Sequence, residues 1–184
     1  MRSLLFLALL GCQGKKEAPP PAPPAIQVRD ASGVLVAELR PIRPCRGSIG
    51  PVDLIVGGPP LISNLGTTQW AGSAAQNGTT LYRDGEAMAR VFPVGDANHA
   101  AVLDMRGVAL ARIQVTGAVA TVSNQASVPV RNLRVQGALI KTDDPAYTIT
   151  GTQDLVIAAL LSAPELLPEV RVLAACERVL VKDS

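Results

Sequence analysis

His99 is the only histidine of this 184-residue chain. It is also the one side chain whose ordinary pKa suits proton transfer near neutral pH. Asp96 and Asp104 lie near it in sequence and Ser73 offers a hydroxyl, so a Ser-His-Asp arrangement of the hydrolase kind is conceivable. The competing reading is an exposed histidine at a loop–strand junction, and it is the one we favour. The chain has no phosphate-cradling Gly-x-x-x-x-Gly-Lys loop, no Gly-x-Gly-x-x-Gly turn and no Gly-x-Ser-x-Gly elbow. Asp143-Asp144 could contribute to a cation site, but in the context Thr142-Asp143-Asp144-Pro145 a turn is expected. A lone His and no paired Cys spacing give no metal-ligand set, and no cofactor motif is present. The sequence therefore reads as non-catalytic. For binding, Arg40, Arg43 and Arg46 stand within Arg40-Pro41-Ile42-Arg43-Pro44-Cys45-Arg46, a Pro-stiffened loop whose guanidinium forks suit phosphate or carboxylate groups. The alternative is a solvated loop. Trp70, among small polar residues, could stack on a sugar or a partner, or serve as a large core residue.

The N-terminus carries the strongest pattern. Met1-Arg2-Ser3 is followed by Leu4-Leu5-Phe6-Leu7-Ala8-Leu9-Leu10 and then Gly11-Cys12. Seven apolar residues cannot span a bilayer as a helix, which needs about 20. A basic start, a short apolar core and a small residue are the parts of an export signal. The run Leu9-Leu10-Gly11-Cys12 resembles the lipobox of bacterial lipoproteins. That resemblance implies cleavage after Gly11, acylation of Cys12 with palmitate among the chains, and a membrane held through the lipid anchor. Several acyl chains make a durable anchor where one is marginal. Gln13 after the cysteine resembles the class sorted to the outer membrane rather than the inner. In such a protein the acceptor-like triplet Asn77-Gly78-Thr79 carries no glycan. Residues 13–25 then hold five prolines within Pro19–Pro24, which cannot join a helix or sheet. They read as an extended tether, on the order of 40 Å from Cys12 to Ile26. The organisation expected is signal peptide 1–11, lipidated tether 12–25 and one domain over 26–184.

If Cys12 is acylated, Cys45 and Cys176 remain as an even pair in an exported protein. Oxidising surroundings make a disulfide between them the expectation, with two buried thiols as the alternative. Without Arg2 the chain has 16 basic against 15 acidic residues, so no nucleic-acid partner is expected. A partner would be another envelope protein or a surface polymer, with phosphate-bearing glycolipids or an acidic protein face suited to the arginine loop.

The elements that must carry these residues are mostly short strands. Val28–Ala37, Leu81–Ala89 and Val102–Ala111 each place an Asp and a Gly between β-prone runs, which is hairpin chemistry. The first and third align without gaps; we read them as one common turn rather than a duplicated unit. Val52–Val56, Arg112–Thr116, Ala118–Val122 and Leu133–Ile140 continue the rhythm. From about residue 153 turns give way to Ala and Leu. Ser162-Ala163-Pro164-Glu165 has the form of a capping box, and Pro168-Glu169 offers a second helix start. Val170, Leu173, Ala174, Glu177 and Val181 share one stripe, with Arg171, Arg178 and Lys182 on another face. The fold expected is α+β: antiparallel hairpins in a sandwich or open barrel, closed by two C-terminal helices.

Overall fold

The computed structural model describes residues 21–56, 61–65, 68–75, 78–92 and 98–182. Strands β1 (Ile26–Asp30), β2 (Leu35–Arg40), β3 (Cys45–Ile49) and β4 (Val52–Val56) open the domain. β5 (Leu61–Leu65), β6 (Thr68–Ala75), β7 (Gly78–Arg83), β8 (Glu86–Phe92) and β9 (His99–Leu103) follow. β10 (Ala109–Thr116), β11 (Val119–Ser123), β12 (Pro129–Gln136), β13 (Leu139–Thr142) and β14 (Tyr147–Thr150) complete the strands. Helices α1 (Leu155–Leu161) and α2 (Pro168–Lys182) end the chain. The protein is thus mainly antiparallel β with two helices near its C-terminus.

All the strands join one sheet in the order β4-β3-β2-β1-β14-β13-β12-β11-β10-β9-β8-β7-β6-β5. Sequential neighbours pair, except β4 and β5. The first strand also pairs with the last, with Val28 opposite Ile149. The two free edges, β4 and β5, are therefore consecutive in the chain, and they lie beside one another.

Local turn chemistry explains the hairpins. At Asp30, Oδ1 accepts the N–H groups of Ser32 and Val34 while Gly33 donates back to the Asp30 carbonyl. Asp104 does the same with Arg106, Val108 and Gly107. Asn124 repeats it with Ala126, Val128 and Ser127, a third copy whose signal is concealed because Asn and Ser replace Asp and Gly. The glycines adopt φ of +85° and +82°, and Ser127 takes +62° in the same place. A register shift accompanies each turn, at Val28/Arg29, Ala109/Ala111 and Val122/Ser123. Such bulges bend and twist a sheet. The second and third copies are part of a longer repeat: Val102, Val108, Val115, Gly117 and Ala118 recur as Val122, Val128, Val135, Gly137 and Ala138. Leu133–Ile140, expected as one strand, is divided into β12 and β13 because Gly137 turns the chain at φ +63°.

One face of the sheet is apolar. Ala109, Ala111 and Ile113 of β10 are buried, while Leu110, Arg112 and Gln114 between them are exposed. α1 lies against β10, β11 and β12, α2 against β3 and β4, and the helices against each other. Every residue of α1 and every residue from Val170 to Leu180 of α2 is buried. Gly47 of β3 lets α2 approach: a Cβ there would stand 2.6 Å from Val172 Cγ1 and 3.0 Å from Leu39 Cδ1.

One expectation about the helices is corrected. Ser162 does not begin a helix. It is the C-cap of α1, its N–H bonded to the Ala158 carbonyl and its hydroxyl donating to the Ala159 carbonyl at 3.3 Å. The N-cap of α1 is Asp154, whose carboxylate accepts the Val156 and Ile157 N–H groups. α2 starts at Pro168 with proline in the first position, where its missing N–H costs nothing. Arg171 and Arg178, on the other face of α2, are buried as well. They are 8% and 2% exposed, because α1 covers the polar side of α2.

Candidate functional site

The arginines of the Pro-stiffened loop do not gather into one cationic cluster. Arg40 and Arg46 face each other across the β2–β3 ladder on the outer surface. Arg40 Nε donates to Glu38 Oε1 at 2.9 Å. Arg46 makes a two-point contact with Asp53, at 3.1 and 2.5 Å. The Arg40 bond, opposed by burial and helped by the Gln27 amide, holds the Glu38 carboxyl below its usual range, and the Arg46 bond, likewise opposed by burial, does the same for Asp53. With Ser48 these side chains line a shallow polar depression. Both pairs are exposed to water, with the Arg40 and Arg46 side chains 59% and 51% exposed, so solvent screens each attraction. Arg43 points elsewhere: its Nη2 donates to the Leu180 carbonyl in the last turn of α2 at 3.1 Å.

His99 is exposed at the start of β9, opposite Gln114 of β10. Asp104 follows the far end of that strand, on the order of 16 Å away at strand rise, and its carboxylate is committed to the turn. The Val108 N–H is the largest cause of its lowered pKa. The two are not brought together. Asp96 and the side chain of Ser73 lie outside the described residues. So does the side chain of Trp70, whose backbone runs in β6 opposite Arg83. Cys12 lies outside them as well. Asp143 and Asp144 form the expected turn: Asp143 accepts the Asn132 backbone N–H at 2.8 Å and its side-chain amide at 3.0 Å. Burial pushes the Asp143 carboxyl up, but these bonds outweigh it and leave its pKa lowered. Among the described residues no three His, Cys, Asp or Glu stand close enough to hold a metal, and no helix is long and apolar enough to cross a membrane.

Cys45 and Cys176 stand at disulfide distance, with Sγ–Sγ 2.06 Å and Cα–Cα 5.7 Å. Both are fully buried, and the pair ties the middle of α2 to the first residue of β3.

The polar groups with the strongest claim to attention are interior ones that periodicity did not single out as a site. Arg178 Nε meets both carboxylate oxygens of Asp154, at 3.1 and 2.9 Å. Arg171 gives Nε and Nη2 to the Leu161 carbonyl. Seven positions separate Asp154 from Leu161, and seven separate Arg171 from Arg178, each a rise of about 10.5 Å. The helices run antiparallel, so the two arginines hold α1 at both ends. Asp154 also stands between two clefts. One, of about 410 Å³, is lined by Val115, Gly117, Val135, Gln153, Leu155 and Arg178 as well. The other, of about 270 Å³, includes Pro23 and Pro41. Also on α2, Glu177 is 4% exposed, its Oε2 has no hydrogen-bond partner, and burial pushes its pKa up to about 8. Nothing here pairs a nucleophile with a base: Asp154 is engaged as helix cap and ion-pair partner, and Glu177 is enclosed.

No family model matches this chain, and neither a curated protein nor a solved structure matches it.

Proposed function

We propose that the protein is a lipid-anchored lipoprotein of the bacterial envelope, a non-catalytic binding or structural module held off the bilayer by its proline tether. The observation that carries this reading is the run Arg2, Leu4–Leu10, Gly11-Cys12 followed by Pro19–Pro24. The buried Cys45–Cys176 pair at disulfide distance supports it, because such a bond persists in an oxidising compartment. Gln13 favours the outer membrane. In this reading the sheet curls into an open barrel with its seam between β4 and β5. The seam strands lie side by side, four bulges bend the sheet, and α1 and residues 170–180 of α2 are buried on all sides. Because helices occupy the interior, binding falls to the outer surface and the rims.

Intact-mass measurement on the membrane-extracted protein tests the anchor and the compartment together. The expected mass lacks residues 1–11, carries acyl groups on Cys12 and is two hydrogens short for the cystine. A Cys12→Ala protein is expected to leave the membrane fraction. Recovery of the unprocessed, unacylated chain from the soluble cytosol would overturn the reading.

A further inference from the structure

Beside the α1–α2 turn, four elements bring polar groups together: Arg131 from β12, Tyr147 from β14, Glu165 from the turn and Arg171 from α2. Their charges do not balance. Arg131 Nη2 meets Glu165 Oε2 at 3.2 Å, and Arg131 Nε donates to the Asp144 carbonyl at 2.9 Å. Arg171 gives its hydrogen bonds to the neutral Leu161 carbonyl. Glu165 is the one carboxylate paired with either guanidinium among the described residues. The Arg131 side chain is 3% exposed and Arg171 is 8% exposed, so one positive charge too many is held out of water. Burial first, and Arg131 as a like charge, lower the Arg171 pKa, while Glu165 and Tyr147 oppose that shift. The second, independent observation is Arg131 Nη1, a buried donor without a hydrogen-bond partner.

A desolvated guanidinium without a counter-charge is strongly unfavourable, and an unmet buried donor adds to the cost. Both deficits are met by the same species: a group with negative charge and oxygens that accept N–H bonds. We infer that Arg131 and Arg171 together bind a small oxyanion group, a phosphate or a carboxylate, with Glu165 as the internal carboxylate that competes with it. Guanidinium geometry suits both anions. Glu165, 24% exposed, marks the side from which the group enters. This inference does not depend on the lipid anchor.

The test uses the full chain in a non-ionic detergent. Calorimetric titration and thermal unfolding are followed with sodium phosphate, glycerol phosphate and sodium acetate, each against sodium chloride at equal ionic strength. Phosphate or acetate is expected to bind and to raise the unfolding temperature where chloride does not. Glu165→Gln removes the competing charge, so its anion affinity is expected to be tighter by about tenfold or more. Arg131→Met is expected to lose the binding. If that variant fails to fold, the Glu165→Gln titration still decides. Glycerol phosphate bound more tightly than inorganic phosphate supports the site and identifies a phospholipid or glycolipid headgroup as the source. The reverse order supports it with a free ion as the source. A response to chloride equal to that of the oxyanions, or affinities unchanged in Glu165→Gln, means an adventitious ion only and overturns the inference.

Discussion

At the scale of single residues, Glu177 has the least favourable surroundings. Its folded pKa of about 8 lies above the ordinary 4.5, with burial as the cause. The folded chain therefore keeps a proton that the unfolded chain gives up. Stability falls as pH rises from about 4.5 to 8, by roughly 1.4 kcal/mol per pH unit. Glu177→Gln is expected to flatten that slope and to stabilise the protein by a few kcal/mol at pH 8, read from urea unfolding at pH 5 and pH 8. An unchanged slope in the variant would mean that another group titrates. Gly47 makes the opposite point. Gly47→Ala places a methyl against Val172 and Leu39, and a loss of about 1–3 kcal/mol is expected in the same assay. Glu177 was legible in the sequence as a member of the apolar stripe with Val170 and Leu173. Arg171 and Arg178 were not, because a helical wheel shows which side chains share a face and not what covers that face. The Arg131–Arg171 neighbourhood joins positions 40 apart on a strand and a helix, and no local pattern marks it.

Among elements, the hairpins were the most readable, because their turns are decided by side chains a few residues apart. Asp30, Asp84-Gly85 and Asp104 all turn where the sequence places them. The Asn124 turn escaped notice because Ser127 stands where its counterparts carry glycine. A serine at φ +62° bears a steric cost that glycine avoids. Ser127→Gly is expected to stabilise the hairpin, by up to about 1 kcal/mol once the looser unfolded chain is counted, as a rise in thermal midpoint. Its hydroxyl also accepts a hydrogen bond from Arg112 at 2.6 Å, so a fall in midpoint would show that this exposed contact outweighs the backbone strain. The helix boundaries were less readable. Ser162 and Glu165 satisfy a capping pattern, yet the first is the C-cap of α1 and the second partners Arg131. A short polar segment between two helices offers the same residue types to the end of one and the start of the next.

For the whole molecule, the decisive feature is that α1 and α2 pack on the sheet from both of its ends in sequence, α2 on β3 and β4 and α1 on β10, β11 and β12. The cysteine pair spans 131 residues. In the chain-entropy view, closing a loop of that size restricts the unfolded chain by roughly 4–5 kcal/mol. Reduction, or a Cys45→Ala and Cys176→Ala double variant, is expected to lower stability by about that amount in denaturant titrations run with and without dithiothreitol. A loss below about 1 kcal/mol would mean that packing of α2 on β3 suffices without the bond. The sheet order adds a further consequence. Translation proceeds from the amino end, so every described strand is made before the first residue of α1. Until residues 155–180 arrive, nothing from α1 or α2 covers the greasy face of the sheet, and it stays open to any neighbour. A ribosome stalled near residue 150 would release a sticky fragment rather than a smaller folded protein.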